Sequence, residues 1–268
     1  VYVSESVDGA DDGASDATKQ QVRGIYIYNP GMNFANGQEM AVLGYDGGLL
    51  GDRTSSAGFR RLAIDAKGNV YVASLDDATK GVYRMDPANP AADFVTVLQA
   101  ERPVDALEIV GDTLYTIENV AESSGEFDIY DMTTIPVGKP VKRMLTTAAD
   151  SDKGLANSFI TLRSDGRGGF WVAQHRWGPT PYPPFEHWNS NREVDFKIDG
   201  ENSEILGDIT GNVSYRGQIA VNVAGDKIAL GSNKCAKVFS VTYGDDGVPV
   251  LTFICMTPQF GNNIDGLA

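Results

Sequence analysis

The sequence of 268 residues predicts an all-β fold made of repeated small sheets. Two observations support this prediction. Short apolar segments alternate with glycine- and asparagine-rich turns along the whole chain, and one strand–turn–strand phrase recurs at 59–73, 157–173 and 216–231. Helical periodicity is almost absent, and a single helical turn is expected at Ala148–Lys153. Each phrase therefore reads as a hairpin between two short strands.

The clearest unit lies between residues 59 and 98. Its Gly68-Asn69 pair separates two alternating apolar runs, which is a strong local signal for a hairpin. Four strands are predicted in it: Phe59–Asp65, Val70–Ala73, Gly81–Asp86 and Phe94–Leu98.

The same order of four strands recurs three times. The second unit has Val104–Val110, Thr113–Ile117, Phe127–Asp131 and Val141–Leu145. The third has Phe159–Asp165, Gly169–Ala173, Val194–Ile198 and Ser203–Leu206, and the fourth has Gln218–Val223, Lys227–Gly231, Lys237–Thr242 and Val248–Ile254. The N-terminus supplies strands two to four of a further unit, at Val1–Ser4, Gly24–Tyr28 and Glu39–Leu43, and residues 264–268 start a first strand.

Four-stranded units repeated at this period indicate a β-propeller, in which each sheet is a blade that buries its faces against its neighbours. We read residues 1–268 as one propeller domain of five blade equivalents, closed by pairing between the two chain ends. A fragment of a six- or seven-bladed ring would leave the same overhang. A β-sandwich is the alternative fold, but it does not explain the recurring phrase.

The phrase Leu-Ala-Ile-Asp-x-x-Gly-Asn-Val-Tyr-Val-Ala at 62–73, with Asp265-Gly266-Leu267-Ala268 as its next opening, resembles the NHL-repeat propellers. It is also similar to the senescence-marker/gluconolactonase-like propellers. This resemblance covers the blade pattern of the whole chain. It implies a propeller fold and a range of roles that includes calcium-dependent lactonases, other hydrolases and binding scaffolds. In the lactonase group, it implies acidic and amide metal ligands at the mouth of the central axis.

The composition excludes several classes of function. With 22 basic and 36 acidic residues the net charge is −14, so binding to nucleic acid or to an anionic membrane surface is disfavoured. No apolar run approaches the roughly 18 residues of a transmembrane helix. Two cysteines, Cys235 and Cys255, are too few for a disulfide framework, and either one bridge or two buried thiols would fit. The composition favours a secreted, periplasmic or cell-surface bacterial protein from which any signal segment has been removed.

A candidate binding loop joins the second and third strands of the third unit, from about Gln174 to Glu193. It holds both histidines of the chain and, with Trp171 beside it, all three tryptophans. Rigid aromatic side chains with polar edges stack on sugars or other flat ligands, and prolines reduce the entropy lost in ordering them. The predicted ligand residues are His175, Arg176, Trp177, Tyr182, Phe185, His187 and Trp188. A loop that uses these rings as its own small core is the structural alternative.

A second candidate site is a ring of polar groups at the axial mouth of the propeller. In-phase repeat positions place Asp105, Glu118, His175 and Asp265 there, where converging carboxylates could bind a cation or act as acid and base. A weaker cation set comprises Glu5, Glu118 and Asn119, and calcium is the candidate cofactor. A water-filled channel lined by satisfied polar residues is the structural alternative.

Two functions follow from these sites. The first is a binding propeller that recognises a glycan, a small molecule or a protein through loops on one face. The second is a metal-assisted hydrolase or lactonase at the axial mouth. Within this sequence we find no nucleophile elbow, phosphate-binding loop or dinucleotide fingerprint.

Overall fold

The structure, a computed structural model, describes 13 stretches of the chain. They are residues 2–5, 24–27, 41–43, 59–74, 80–85, 95–121, 124–147, 157–176, 185–198, 205, 215–216, 218–232 and 235–256. Strands make up most of these stretches, as the sequence predicts.

Antiparallel sheets account for all 20 described strands. The N-terminal sheet has three strands in the order β1-β2-β3, at Tyr2–Glu5, Gly24–Ile27 and Ala41–Leu43. A second sheet has the order β4-β5-β6-β7, at Phe59–Ile64, Val70–Ser74, Gly81–Met85 and Val95–Gln99. A third has the order β8-β9-β10-β11, at Val104–Val110, Thr113–Ala121, Ser124–Asp131 and Lys142–Thr147.

The last two sheets follow the same plan. The fourth has the order β12-β13-β14-β15, at Asn157–Ser164, Phe170–Arg176, Phe185–Trp188 and Val194–Ile198, and a short strand β16, Tyr215–Arg216, also pairs with β13. The fifth has the order β17-β18-β19-β20, at Gln218–Val221, Lys227–Ser232, Cys235–Tyr243 and Pro249–Met256. Consecutive strands are neighbours in all five sheets, which is the meander expected of propeller blades.

The recurring phrase folds as a hairpin because an aspartate organises its turn. Asp65 Oδ1 accepts hydrogen bonds from the backbone N–H groups of Lys67 and Asn69, both at 2.9 Å. Gly68 has φ of +84°, a conformation that is costly for other residues. The turn therefore depends on an aspartate at its start as well as on the Gly-Asn pair.

The chain divides into two compact units. Unit 1 comprises residues 1–115, 129–142 and 268, and unit 2 comprises residues 116–128 and 143–267. In unit 1 the first strands β4 and β8 pack side by side, and β1 packs against β4. In unit 2 the first strands β12 and β17 pack side by side, and the Thr161 hydroxyl donates to Gln218 Oε1 at 3.2 Å. Each unit thus places the first strands of successive blades next to each other.

Each unit has its own apolar core between neighbouring sheets. In unit 1 the core includes Tyr71, Val97, Leu107 and Tyr130. In unit 2 the fully buried Trp171 and Phe239 come from neighbouring sheets and belong to one cluster. Alternation along the strands explains this packing, because it directs every second side chain to the same face of a sheet.

The number of complete blades differs from the prediction. The described residues form four four-stranded blades and one three-stranded sheet, not five blades. The first strand of the N-terminal unit was expected from residues 264–268, which lie outside the described residues, as does the predicted helical turn at Ala148–Lys153. The all-β propeller class with four-stranded blades is confirmed.

The third predicted unit was wrong in its outer strands. Its third strand is Phe185–Trp188, which the sequence reading placed in a loop, and Val194–Ile198 is the fourth strand rather than the third. All four residues of Phe185–Trp188 are buried, so no polar alternation marks them as a strand. The proline-rich segment immediately before them also reads as a loop. The predicted fourth strand, Ser203–Leu206, lies outside the described residues except for Ile205.

The expected cysteine chemistry is also corrected. Cys255 is a free, exposed thiol on β20, so neither of the two expected alternatives, a bridge to Cys235 or a pair of buried thiols, holds for it. Backbone register explains the absence of a bridge, because Cys255 pairs with Val238 whereas Cys235 pairs with Ser232. Among the described residues, no helix has the length and apolar character needed to cross a membrane.

Candidate functional site

The β12–β15 blade contains most of the predicted ligand residues and has two chemically different ends. At one end, the turn between β12 and β13 carries Asp165. At the other end, β13 continues beyond β14 to His175 and Arg176.

Asp165 organises its turn as Asp65 does in the earlier hairpin. Its Oδ1 accepts hydrogen bonds from the N–H groups of Arg167 at 2.7 Å and Gly169 at 2.9 Å. A Cβ atom at position 169 would lie 2.6 Å from both Asp165 Oδ2 and the Trp188 carbonyl oxygen. Glycine at this position therefore allows the carboxylate to approach the backbone.

His187 on β14 lies between two carboxylates. Its Nδ1 is 2.6 Å from Asp195 Oδ1, and its Nε2 is 3.1 Å from Asp165 Oδ2. His187 and Asp165 are 2% and 4% exposed, whereas Asp195 is 16% exposed. A carboxylate can only accept, so both contacts are hydrogen bonds only when both ring nitrogens carry a proton. His187 therefore bridges two carboxyl groups, one through each ring nitrogen.

Aromatic side chains enclose this histidine. The Trp171 ring on β13 lies 4.8 Å from the imidazole, and the Tyr243 ring on β19 of the next blade lies 6.0 Å away. The Arg167 guanidinium lies 4.1 Å from the centre of the Tyr243 ring. Trp171 Nε1 and the Tyr243 hydroxyl are both buried, and neither makes a hydrogen bond of normal geometry within the described part of the chain.

Burial and these contacts shift the pKa values of Asp165 and Tyr243. Burial acts to raise the pKa of Asp165, but the hydrogen bonds from His187 and from the Arg167 and Gly169 N–H groups outweigh it, so this pKa lies below its ordinary value. Burial, followed by the negative charges of Asp165 and Asp195, raises the pKa of Tyr243 to about 12 despite the opposing effect of Arg167. Asp165 is thus ionised and Tyr243 is neutral at neutral pH.

The same positions are filled differently in the β4–β7 blade. Tyr71 pairs in register with Arg84 there, as Trp171 pairs with His187 here. The Tyr71 hydroxyl donates to Asp65 Oδ2 at 3.1 Å, where His187 contacts Asp165 Oδ2. The turn aspartate is thus held by the second strand of its own hairpin in the β4–β7 blade and by the third strand here, so the Asp165–His187–Asp195 network joins the hairpin to β14 and β15.

The predicted aromatic platform is corrected by burial. Phe185 and His187 are 0% and 2% exposed, and Trp188 is 3% exposed with its indole N–H donating to Glu186 Oε2 at 3.0 Å. These three side chains belong to the blade interior and cannot stack on a ligand at the surface. Trp177 and Tyr182 lie outside the described residues.

Arg192 covers the opposite side of this blade core. Its guanidinium lies 4.6 Å from the centre of the Phe170 ring and 5.4 Å from that of Phe127. Its Nη1 donates to the Gly168 carbonyl oxygen at 2.7 Å. The arginine therefore stabilises a turn over an aromatic cluster and is occupied by these contacts.

The far end of β13 carries the remaining predicted ligand residues. His175 and Arg176 pair with Ser158 and Asn157 of β12 on one side. On the other side they pair with the two residues of β16, Arg216 opposite His175 and Tyr215 opposite Arg176. We call residues 157–158, 175–176 and 215–216 the β13 extension. Sequence reasoning identified His175 and Arg176 but missed β16, whose two residues follow no recognisable strand pattern.

Two of the predicted axial residues lie on neighbouring strands of one sheet. Asp105 is on β8, and Glu118, which is 2% exposed, is on β9. Glu5 ends β1 and Asn119 follows Glu118, while Asp265 lies outside the described residues. Within the described stretches, no group of three or more His, Cys, Asp or Glu residues is arranged to hold a metal ion.

Sequence reasoning also missed the partners of His187. Asp165 and Asp195 were read as ordinary turn and strand residues. A signal for Asp165 was available, because an aspartate precedes the second strand by five residues in both hairpins, as Asp65 before Val70 and Asp165 before Phe170. No comparable signal marks Tyr243, which comes from the next blade.

These features define the class of protein: an all-β propeller with four-stranded blades. Solved structures support the fold. The chain is similar to the periplasmic gluconolactonase PpgL of Pseudomonas aeruginosa, with a TM-score of 0.50 and 12% identity over 88% of this chain and 78% of that chain. That similarity extends the resemblance to gluconolactonase-like propellers from sequence to fold.

Two further structures are similar at lower scores. A Bacteroides caccae protein of unknown function has a TM-score of 0.44 and 8% identity over 88% of this chain and 68% of that chain. An extracellular domain from B. thetaiotaomicron has a TM-score of 0.40 and 12% identity over 74% of this chain and 24% of that chain. No protein-family model matches the sequence, and no curated protein matches it significantly.

Proposed function

We propose that this protein is a secreted or cell-surface propeller that binds an acidic glycan at the β13 extension. The observation that carries the proposal is the pairing of His175 and Arg176 on both sides, by β12 and by β16. An ordered backbone presents binding residues at a lower entropic cost than a free loop does. The paired strands of the extension therefore suit it as a recognition edge.

The residue types at this edge favour an anionic ligand. Two arginines, one histidine and one tyrosine lie at adjacent register positions, in a chain whose net charge is −14. Guanidinium groups bind carboxylates and sulfates with paired hydrogen bonds, and asparagine, serine and tyrosine can bind sugar hydroxyls. The acidic surface elsewhere repels anions and so confines their binding to this edge.

A glycan array containing uronate-bearing, sulfated and neutral oligosaccharides tests the proposal. We expect binding to acidic members, weakened by added salt because salt screens exposed charges. Arg216→Ala should reduce the affinity by about tenfold or more, as expected for an arginine at the centre of an interface. Arg176→Ala should reduce it less, because Arg176 pairs with Tyr215 at the next register position, on the other face of the strand pair. Lys227→Ala is the control, since Lys227 is an exposed cation in the β17–β18 turn region.

Two results would overturn the proposal. One is the absence of any acidic glycan among the bound oligosaccharides. The other is an unchanged affinity in both arginine variants, provided that their unfolding midpoints match that of the parent protein.

A metal-assisted hydrolase is the second proposal, and it depends on Asp105, Glu118, His175 and Asp265 with calcium as the cofactor. The similarity to a gluconolactonase concerns the fold alone. Thermal unfolding with added calcium and with a chelator tests this alternative. A calcium-dependent increase in the unfolding temperature would support it, and identical unfolding curves would count against it.

A further inference from the structure

A bulge in the outermost strand β15 falls on the residue that contacts His187. His187 pairs with Phe196 and Trp188 pairs with Val194, so Asp195 is an extra residue between the two pairs. A bulge changes the direction in which side chains leave a strand. In this blade it accompanies the contact of 2.6 Å between Asp195 Oδ1 and His187 Nδ1. The irregular backbone of β15 therefore serves the contact between this carboxylate and the imidazole.

The three side chains Asp165, His187 and Asp195, which we call the histidine row, need two protons for their two contacts. A carboxylate oxygen or a ring nitrogen without a proton can only accept a hydrogen bond. One proton must therefore lie in the 2.6 Å contact with Asp195 and one in the 3.1 Å contact with Asp165, whichever atoms carry them. The loss of one proton would place two acceptors against each other in a buried site, which is unfavourable.

The other titratable and charged groups around His187 do not change their charge just above neutral pH. Arg163 lies opposite Trp171 on β12, and Arg167 lies over the Tyr243 ring, and both guanidinium groups stay charged. Burial, together with the charges of neighbouring carboxylates, raises the pKa of Tyr243 to about 12. Despite burial, hydrogen bonds keep the pKa of Asp165 below its ordinary value. The protons shared within the histidine row are therefore the ones that can respond to a rise in pH.

The two carboxylates differ in how they can respond when a proton is lost. Asp195 is 16% exposed and can turn toward water, whereas Asp165 is 4% exposed. Asp165 is also held through its other oxygen by the N–H groups of Arg167 and Gly169. The contact with Asp195 is the shorter one, so the repulsion between two acceptors is stronger there. Asp195 is therefore the group that moves.

We propose that the histidine row is a pH-sensitive latch between β14 and β15, closed while it holds two shared protons and opened at Asp195 when a rise in pH removes one. In the open state His187 keeps its contact with Asp165, so the β12–β13 hairpin stays joined to β14. Only the side-chain contact to β15 is released.

The sign of the pH dependence follows from the number of protons bound. In the unfolded chain the histidine is neutral above about pH 6.5, whereas the closed latch still holds both protons. The folded protein then binds one proton more than the unfolded chain, so its stability decreases as the pH rises. The stability that the latch contributes is complete below about pH 6.5 and is lost above it, until the folded row has released its proton.

Urea unfolding between about pH 6.5 and about pH 9 tests the proposal. A difference of one proton should increase the unfolding equilibrium constant by up to about tenfold for each pH unit. Asp195→Asn should remove this dependence, because an amide can offer its oxygen to a protonated ring nitrogen or its N–H to a bare one. Asp65→Asn is the matched control and should keep the parental dependence, since Tyr71 rather than histidine contacts that turn aspartate. An equal pH dependence in the parent and in Asp195→Asn would overturn the proposal.

Nitrogen NMR of labelled histidine identifies the contact that opens. The chain has two histidines, so a His175→Gln variant leaves His187 as the single source of ring signals. We expect both ring nitrogens to carry a proton at the lower end of the pH range, and Nδ1 alone to lose its proton as the pH rises. A ring with one protonated nitrogen at every pH would overturn the proposal, as would loss of the proton from Nε2 instead.

Discussion

Replacing His187 by alanine is expected to destabilise unit 2 by about 3–5 kcal/mol, the usual cost of leaving a buried charge, here the Asp165 carboxylate, without a partner. The substitution removes two contacts to carboxylates, at 2.6 Å and 3.1 Å. Hydrogen bonds to charged groups contribute about 1.5–3 kcal/mol each. The two contacts are not additive, because they share one ring.

The more deeply buried of the two carboxylates accounts for most of the stability lost in His187→Ala. Asp195 makes the shorter contact, but it is 16% exposed and can be hydrated once the imidazole has gone. Asp165 is 4% exposed, and its buried Oδ2 would lose the contact with His187 while the carboxylate kept its charge. In an Asp165→Asn background, His187→Ala should therefore cost about 1–2 kcal/mol less, because no buried charge is left unpaired.

Urea unfolding at neutral pH measures both effects, with tryptophan fluorescence and far-ultraviolet circular dichroism as separate probes. Asp195→Asn is the mild control, since an amide oxygen can still accept the hydrogen bond from Nδ1. A loss below about 1 kcal/mol for His187→Ala, as expected at an exposed site, would refute the reasoning. So would an equal loss in the parent and Asp165→Asn backgrounds.

Two further predictions concern the hairpin turns. Asp65 and Asp165 both have a pKa below the ordinary 3.8, so the stability they contribute is present above that pH and is lost as the pH falls through their folded pKa values. Below about pH 4, the urea concentration at the unfolding midpoint should decrease as the pH falls. This decrease should be less steep in Asp65→Asn and in Asp165→Asn than in the parent protein, and identical slopes would contradict this assignment. Gly169→Ala should cost about 2–3 kcal/mol, because the new methyl group would meet Asp165 Oδ2 and the Trp188 carbonyl oxygen. Gly166→Ala should cost about 1 kcal/mol by thermal unfolding, since φ is +75° but the space is open, and equal losses would contradict the steric argument.

Most strands of the fold could be predicted because hairpin turns and alternation are local signals. The turn between Ile64 and Val70 is marked by glycine and asparagine, and Val104–Val110 is predicted to the residue. The strand Phe185–Trp188 was not predicted, because it is buried on both faces and follows a proline-rich segment. Periodicity cannot distinguish such a strand from a loop with its own core.

The candidate site was harder to predict because its contacts join residues that are distant in sequence. His187 was recognised as unusual, but its contacts with Asp165 and Asp195 depend on how β12, β14 and β15 are placed beside each other. Its aromatic neighbour Tyr243 comes from a different blade. A histidine in an aromatic, proline-rich segment therefore suggested a ligand site, whereas the structure buries it in a blade.

The central claim is that the two ends of β13 have separate tasks, with the Asp165 end holding the fold and the β13 extension recognising ligand. The most direct test compares the affinity of one acidic oligosaccharide from the array for His187→Gln and for Arg216→Ala, at a temperature where both variants are folded. We predict that His187→Gln binds like the parent and that Arg216→Ala loses about tenfold or more. Weakened binding in His187→Gln with parental binding in Arg216→Ala would contradict the claim.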